Sequence, residues 1–375
     1  MAKLPGNIRD SICGYLQMIG GEASLDEISR AVMAQMGATS PSSIRSYLNL
    51  NVGRTFERTG RGRYRLKPNG HDWVAIGRKL DLDPVVTIGK AKLYHADAFD
   101  WLASEPPSSL HACVTDPPYG LVEYTESEQR KLRAGRGGVW RIPPSFDGHQ
   151  RAPLPRFTVL DDHDRTQLYQ FFRKFGALLN RVLVPGGNVV VASNPLLSHI
   201  VSSAMSEGGL ELRGNIVRLV MTMRGGDRPK NAHKEFHDVS VMPRSMFEPW
   251  VIFRRPIEGR VQDNLRLHKT GGFRRPSAER PFGDVISSRP TPKAEREIAA
   301  HPSLKPQAFL RQVVRAALPL GEGTVLDPFA GSGSTLAAAN AVGYASVGIE
   351  SDMNYVSVAS QAITKLGSLG EIDPV

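Results

Sequence analysis

The sequence predicts an α/β fold, a doubly wound and mostly parallel sheet, preceded by a small N-terminal helical domain. Two observations predict it. From about residue 85 onward, short apolar runs of strand length alternate with longer segments of helical period, which is the pattern of repeated strand–helix units. Before residue 70, apolar residues recur at helical spacing in three short segments, and a basic hairpin follows them.

The N-terminal domain is assigned to residues 1–70. Its second helix is announced by Ser24 and Glu27, the pattern of a capping box, and its third by Ser40 as N-cap with Pro41 at the first helical position. Residues 56–66 then alternate around a glycine turn and carry several arginines. This order resembles a winged helix, which lays its third helix in a DNA major groove. Winged helices also dock proteins, so both kinds of partner stay open.

After a linker at residues 71–84, a second domain is assigned to residues 85–375. Apolar runs predict its strands and periodic segments predict its longer helices. The predicted strands are 85–88, 112–115, 188–192, 324–326 and 345–349, and the predicted helices are 167–184 and 307–318.

Two segments break this alternation. Residues 120–160 are rich in Gly, Arg and Pro, too long and polar for a mere connection, and predict a mobile functional loop. Residues 208–300 are rich in Arg and Pro and contain scattered aromatic residues, which predicts an inserted recognition region. Those aromatic residues are Phe247, Trp250, Phe253 and Phe273.

The net charge of +10 over 375 residues favours a polyanionic partner. Residues 1–70 hold 10 basic and 5 acidic side chains, and residues 208–300 hold 18 and 11, so the excess lies in two blocks. Surface charge for solubility is the other interpretation of this excess.

Cys13 and Cys113 alone predict neither a disulfide framework nor a cysteine zinc site, and no metal is expected. Without a long apolar run or signal peptide, we expect a soluble, intracellular protein.

A first motif, Asp116-Pro117-Pro118-Tyr119, directly follows an apolar strand. It is therefore predicted to lie at the carboxyl end of that strand, where open α/β sheets bind their ligands. Two prolines after a strand also serve as a simple rigid turn, so the motif gains weight only in combination with others.

A second motif, residues 327–335, reads Asp-Pro-Phe-Ala-Gly-Ser-Gly-Ser-Thr and also follows a strand. Gly331 and Gly333 would let the backbone approach a ligand at the head of a helix. Glu350 ends the next strand, where an acidic side chain can accept hydrogen bonds from a ribose. A dinucleotide site is the alternative, but Leu336 replaces the third glycine of its fingerprint. An adenosyl ligand without phosphates fits better.

A third motif, residues 301–306, reads His-Pro-Ser-Leu-Lys-Pro and precedes a predicted helix. Together with residues 94–97, these motifs resemble the amino-group DNA methyltransferases of prokaryotes and their phages. Their order, with D-P-P-Y before H-P-x-x-K-P and D-P-F-x-G-S-G, is that of the permuted beta class. The resemblance spans residues 85–362. It implies a Rossmann-like methyltransferase domain, S-adenosylmethionine as cofactor, duplex DNA as substrate, and a cytoplasmic place at the nucleoid.

The resemblance also implies roles for single residues. One set would hold the cofactor: a loop around its methionine part, Glu350 on its ribose, Lys305 near its carboxylate, and Asp97 on its adenine. The loop residues are Asp327, Phe329, Gly331 and Gly333.

The other set would act on an exocyclic amine, whose lone pair is delocalised into the ring. Asp116 and the carbonyl of Pro117 would accept its two N–H groups and free that lone pair for methylation. Pro118 completes the motif, and Tyr119 would stack on a base flipped out of the duplex. A thiol attack on C5 of cytosine is set aside, because Cys113 lies inside the strand.

We expect N6 of adenine to be the target, with N4 of cytosine as the alternative. Asp116 favours adenine, since the cytosine enzymes more often carry serine there. Two hypotheses from other classes are methylation of a protein glutamine or RNA base, and a winged-helix regulator with an inactive body. The sequence leaves open the recognition site, a homodimer, and a cognate restriction endonuclease.

Overall fold

The computed structural model describes most of the chain, which forms two compact units, Met1–Ile76 and Gly77–Val375. The described residues are 7–19, 21–36, 40–50, 52, 56–66, 83–118, 145–146, 149–150, 162–220, 226, 228–229, 231–299 and 304–370. The predicted loop 120–160 lies outside them except for two short strands, β7 (Ser145–Phe146) and β8 (His149–Gln150). Most of the predicted linker 71–84 lies outside them too.

The first unit contains the three predicted helices and the predicted hairpin. Its elements are α1 (Asn7–Ile19), β1 (Glu22–Ser24), α2 (Leu25–Met36), α3 (Pro41–Leu50), β2 (Phe56–Gly60) and β3 (Arg63–Leu66). The three strands form an antiparallel sheet in the order β1-β3-β2. Strand β1 is not predicted, because three residues of mixed polarity carry no readable period. The identification of this unit as a winged helix, and the boundary at residue 70, stay predictions.

The capping box predicted at the start of α2 is confirmed. The Ser24 amide donates to Glu27 Oε2 at 2.7 Å, and the Glu27 amide donates back to Ser24 Oγ at 3.3 Å. The amides of Ser24 and Glu27 at this helix end therefore both have partners. The core of the unit consists of the apolar faces of the helices and the inner face of the sheet, including Ile12, Leu16, Ile28, Val32, Ile44, Leu48, Phe56 and Tyr64.

The second unit is built on a nine-stranded sheet in the order β12-β10-β11-β9-β6-β13-β14-β5-β4. Its remaining strands are β4 (Val86–Ile88), β5 (Ala91–His95), β6 (Leu110–Thr115), β9 (Leu183–Ala192), β10 (Glu211–Leu219), β11 (Phe247–Arg254), β12 (Val285–Ser287), β13 (Thr324–Asp327) and β14 (Ala345–Glu350). Five of the eight strand pairings are parallel, among them all four in the run from β9 to β5. The predicted mostly parallel α/β sheet is therefore confirmed.

Helices cover both faces of this sheet. They are α4 (Ala98–Ser104), α5 (Asp162–Val182), α6 (Ser198–Glu207), α7 (Val261–His268), α8 (Lys293–Ile298), α9 (Gln307–Ala317), α10 (Ser334–Ala341) and α11 (Met353–Gly367). On β6, Ala112 and Val114 pack in one cluster with residues of α9 and α10. Cys113, which points to the opposite face of the strand, is equally inaccessible. No described helix is long and apolar enough to span a membrane.

The prediction of one inserted region at residues 208–300 is wrong in its extent. Strands β10, β11 and β12 come from this segment and belong to the central sheet. Trp250 pairs with Ala192 of β9 and is 1% exposed, and Phe253 is fully buried. These aromatic residues fill a core strand, because β11 lies between two neighbours and has both faces covered. Only the stretches between these strands lie outside the sheet.

Candidate active site

The two principal motifs meet at the carboxyl ends of neighbouring strands. Strands β6 and β13 run parallel, with Cys113 opposite Leu326. Asp116 directly follows β6, and Asp327 is the last residue of β13. The Thr115 hydroxyl donates to Asp327 Oδ1 at 2.7 Å, so the two strand ends are tied together. The sequence predicts each motif directly after a strand, and the structure brings the two motifs together at one edge of the sheet.

A cleft with about 370 Å³ of open space lies at this edge of the sheet. Its walls contain residues of all three motifs, namely Asp116, Lys305, Asp327, Phe329 and Gly331, together with Trp250, Leu310, Ala330, Ser332, Ser334 and Thr335. The described wall offers carboxylates, hydroxyls and a glycine turn and contains no cluster of cations for a phosphate. Such a lining suits an adenosyl group without phosphates.

Lys305 contacts the first motif. Its ammonium nitrogen lies 2.6 Å from Asp116 Oδ2 and 3.1 Å from Glu248 Oε1. Burial works against the charge of Lys305, but the two carboxylates outweigh it and raise the pKa of Lys305 above its ordinary value. Sequence reasoning expected Lys305 near the cofactor carboxylate, and the structure places it on the Asp116 carboxylate. Contact with a cofactor stays a prediction.

Glu248 is a site residue that sequence reasoning missed. Burial alone would raise its pKa, but the charges of Lys305 and Arg218 outweigh burial and lower the pKa of Glu248 to about 2. One signal could have found it: the segment Phe-Glu-Pro-Trp-Val-Ile-Phe-Arg is an apolar strand with an acid near its start. An acid at the start of a buried strand requires a partner.

Asp327 is almost fully buried, and its Oδ1 accepts hydrogen bonds from the Thr115 hydroxyl and from the Phe329 amide, the latter at 3.2 Å. Burial raises the pKa of Asp327 to about 6, although these bonds and one from Thr335 act in the opposite direction. Phe329 lies on the turn and contacts Phe175 and Phe171 of α5 at ring-centroid distances of 5.4 and 6.0 Å. The turn is therefore anchored on two sides.

The two glycines of the turn have different surroundings. Gly331 is left-handed with φ of 51°, and its amide donates to Glu350 Oε2 at 2.8 Å. Gly333 has φ of 81° and begins α10, but a Cβ there would lie 2.6 Å from Ile363 Cγ1 on α11. The position thus requires glycine for helix packing. The predicted approach of a ligand to the backbone of Gly333 stays a prediction.

Glu350 and Asp97 lie at the same edge of the sheet. Both oxygens of Glu350 accept backbone amides, from Gly331 and from Asp352 at 2.8 Å each. Asp97 is the N-cap of α4, where its Oδ1 accepts the amides of Phe99 at 2.8 Å and Asp100 at 3.0 Å. Each carboxylate therefore has a structural partner, and each retains acceptor capacity for a ribose or an amine.

The remaining residues of the first motif are Pro117, Pro118 and Tyr119. Pro117 is buried and Pro118 is exposed, whereas Tyr119 lies outside the described residues. Burial raises the pKa of the Cys113 thiol well above its usual range, which agrees with setting aside a thiol nucleophile. Within the described part of the chain, no group of three or more His, Cys, Asp or Glu side chains could hold a metal ion.

Comparison with known proteins identifies the family of this chain. The sequence model of a DNA methylase family, N6_N4_Mtase, matches residues 110–361. Type II methyltransferase M2.DpnII of Streptococcus pneumoniae is 23% identical over 288 residues, which cover 76% of this chain and 94% of that protein. Type II methyltransferase M.HindIII of Haemophilus influenzae is 22% identical over 302 residues, covering 73% and 94%.

Among solved structures, the PvuII DNA methyltransferase (cytosine-N4-specific) is 14% identical, covers 78% of this chain and 91% of its own, and has a TM-score of 0.49. The family match spans about two thirds of the chain and includes all three motifs. This chain therefore belongs to the N6/N4 family of S-adenosylmethionine-dependent DNA methyltransferases.

Proposed function

We propose that this chain methylates N6 of adenine in duplex DNA. One observation supports the proposal above others: the Asp116 carboxylate and the Gly331 turn line the same cleft, although 215 positions separate them in the sequence. An acceptor for an amine and a turn suited to a cofactor thus face a common space.

The proposed cofactor site consists of the turn at Asp327, Phe329 and Gly331, with Glu350 for the ribose and Asp97 for the adenine. S-adenosylmethionine supplies a methyl group that its sulfonium already activates. The chain itself has to orient the acceptor and exclude water, and orientation alone can supply about 7–11 kcal/mol of a reaction barrier.

Asp116 is proposed to accept one N–H of the target amine and the Pro117 carbonyl the other. These bonds favour a tetrahedral nitrogen, whose lone pair is then available for methylation. A carboxylate has two oxygens, so Asp116 can serve Lys305 and an amine together. The base has to leave the duplex, at a cost of a few kcal/mol. Stacking on Tyr119 would return about 1–3 kcal/mol.

The first unit is proposed to contact DNA as a winged helix. On α3, the residues described as exposed after Pro41 recur at helical spacing and include no acid: Ser42, Arg45, Ser46 and Asn49. Hydroxyl, amide and guanidinium groups are those that read base edges and phosphates. Arg58 and Arg61 are on the hairpin, and both are exposed. We expect Arg45→Ala to lower the affinity for DNA and to make that affinity less dependent on salt concentration. Arg30→Ala on α2 is the matched control and should change neither.

The decisive experiment is modification-sensitive sequencing of DNA from cells that express the chain. We expect N6-methyladenine at one short motif, and loss of the mark with Asp116→Ala but not with Asp263→Ala, a surface aspartate on α7. A mark on N4 of cytosine would establish the alternative target. A retained mark with Asp116→Ala would contradict the proposed role of Asp116.

The relatives named as Type II methyltransferases support one more proposal, a cognate restriction endonuclease as biological partner. Protection of motif-containing DNA against a coexpressed endonuclease tests it. A homodimer stays a prediction that the mass of the protein in solution tests.

A further inference from the structure

A line of alternating charges leads away from the cleft. It runs from Asp116 to Lys305, then to Glu248, and ends at Arg218. The successive N···O distances are 2.6, 3.1 and 2.8 Å. The side chains are 15%, 12%, 18% and 7% exposed in the same order. Water therefore screens these charges weakly, and each strongly influences its neighbour.

The far end of this line is rigidly held. Arg218 lies opposite Glu248 in the β10–β11 ladder. Its guanidinium also donates to Ser288 Oγ at 3.0 Å and to the Arg289 carbonyl at 3.2 Å, and it lies 5.2 Å from the Phe309 ring centroid. Because Arg218 has partners on several sides, it fixes Glu248 in one orientation.

Glu248 and Lys305 connect this rigid end of the line to Asp116. Glu248 Oε2 accepts Arg218, and also the Trp250 indole N–H at 3.2 Å, while Oε1 faces Lys305. A lysine ammonium on a four-carbon stem has little orientation of its own, in contrast to the planar fork of arginine. With one donor on Glu248, the remaining donors of Lys305 have defined directions, and one of them holds Asp116 Oδ2.

We propose that Glu248 is a positioning residue for methyl transfer: held by Arg218, it fixes the Lys305 ammonium, which in turn orients the Asp116 carboxylate. This inference rests on the proposed function, since Asp116 is there the acceptor of the target amine. Glu248 itself acts only through Lys305.

The same two strands contain a matched control. Arg254 and Glu211 are also opposite one another in the β10–β11 ladder, at its other end, with N···O of 2.5 Å. This arginine donates on its other side to the Gly271 carbonyl, a backbone group rather than a further charge. Glu211→Gln thus removes a comparable carboxylate from the same ladder without touching the line to Asp116.

The test is a double-mutant cycle on the full chain with single-turnover rates at saturating DNA and cofactor. We expect Glu248→Gln to slow methyl transfer by up to about 100-fold, the loss that a displacement of about 1 Å can cause. Lys305→Met should slow it at least as much, and adding Glu248→Gln to Lys305→Met should cause no further loss. Glu211→Gln should leave the rate unchanged.

A second readout separates positioning from folding. With Glu248→Gln, Lys305 loses a carboxylate that supports its charge, so the alkaline limb of the rate–pH profile should move to lower pH. Cofactor affinity from calorimetry should stay unchanged. Glu248→Asp keeps the charge but moves it away from Lys305, so this variant should give an intermediate rate. It provides the test if Glu248→Gln does not fold.

Additive losses in the cycle, or an equal loss with Glu211→Gln, would overturn the inference. The Asp116→Ala variant separates this outcome from failure of the proposed function. If Asp116→Ala abolishes methylation while the cycle is additive, only the role of Glu248 falls. If Asp116→Ala retains methylation, the proposed function falls first.

Discussion

The Thr115 hydroxyl donates to the Asp327 carboxylate across 2.7 Å, although 212 positions separate the two residues in the sequence. Both side chains are buried, at 0% and 4% exposure. The bond joins the strand that carries the Asp116 motif to the strand that carries the glycine turn. A buried carboxylate whose hydrogen-bond donors are neutral keeps a high affinity for a proton, and burial accordingly raises the pKa of Asp327 to about 6.

This pKa predicts a pH dependence of stability. The folded value of about 6 exceeds the ordinary aspartate value of 3.8, so the folded state binds the proton more tightly. The resulting stabilisation is complete below about pH 4 and is lost as the pH rises through 6. It amounts to about 3 kcal/mol, since each pKa unit corresponds to about 1.4 kcal/mol.

The measurement compares Asp327→Asn with the parent chain by urea denaturation between pH 4 and 8. Asparagine keeps an acceptor for Thr115 and has no charge to bury. We expect the parent to lose about 2 of these 3 kcal/mol relative to the variant as the pH rises from 4 to 7, because pH 4 already lies at the pKa of the unfolded aspartate. A difference that is constant with pH would show that Asp327 is ionised throughout.

The sequence predicts strands β6, β13 and β14 well, because each carries a run of mostly buried apolar residues. It also predicts that Asp116 and the Gly331 turn converge, since both follow strands and parallel strands present their carboxyl ends at one edge. The alternation of strands and helices is sufficient for this conclusion, and no contact has to be known.

The partners of Lys305 cannot be predicted from the alternation of strands and helices. Glu248 and Arg218 come from two antiparallel strands. The Arg- and Pro-rich composition of residues 208–300 instead predicts an inserted region there. Their place beside Lys305 depends on strand order, which local patterns do not encode. Gly333 is a similar case, because the side chain that requires a glycine there, Ile363, lies on a different helix.

The contact between Lys305 and Asp116 predicts how Lys305→Met will behave. If the ammonium acts on Asp116, the variant should bind S-adenosylmethionine with unchanged affinity and transfer methyl groups about 100-fold more slowly. Calorimetry and single-turnover rates measure the two quantities separately. Lys293→Met, which removes a surface lysine 84% exposed, is the control for loss of charge. Weaker cofactor binding with an unchanged rate would instead support a contact with the cofactor carboxylate.

The surroundings of Gly333 predict a stability defect in Gly333→Ala. The left-handed backbone costs an alanine about 1–2 kcal/mol, and crowding against Ile363 adds about 1–3 kcal/mol. Gly343→Ala is the matched control, because Gly343 has φ of 80° but no atom within 4 Å of an added Cβ. Urea denaturation should therefore show a larger loss at Gly333 than at Gly343.

Crowding is tested directly by a double variant. Ile363→Ala removes the atoms that the methyl group introduced by Gly333→Ala would meet. Gly333→Ala should therefore cost less in that background than in the parent. Equal costs in both backgrounds would mean that backbone strain alone explains the glycine, and that the space near α11 is irrelevant.

The two oxygens of Asp97 allow its structural and proposed cofactor roles to be separated. Oδ1 accepts both cap amides of α4. Asp97→Asn keeps that oxygen and replaces Oδ2 by a donor, whereas Asp97→Ala removes the cap and should cost about 1 kcal/mol. If Oδ2 serves the cofactor amine, Asp97→Asn should keep the thermal stability but weaken cofactor binding about tenfold, which corresponds to about 1.4 kcal/mol.

Asp352 provides the matched control for this experiment. It caps α11 at the same edge of the sheet, with Oδ1 accepting the Asn354 amide at 2.8 Å. Asp352→Asn should therefore change neither stability nor cofactor affinity. If Asp97→Asn behaves like Asp352→Asn, the carboxylate of Asp97 acts only as a helix cap, and the adenine of the cofactor has to be recognised by other groups near the ends of β5 and β14.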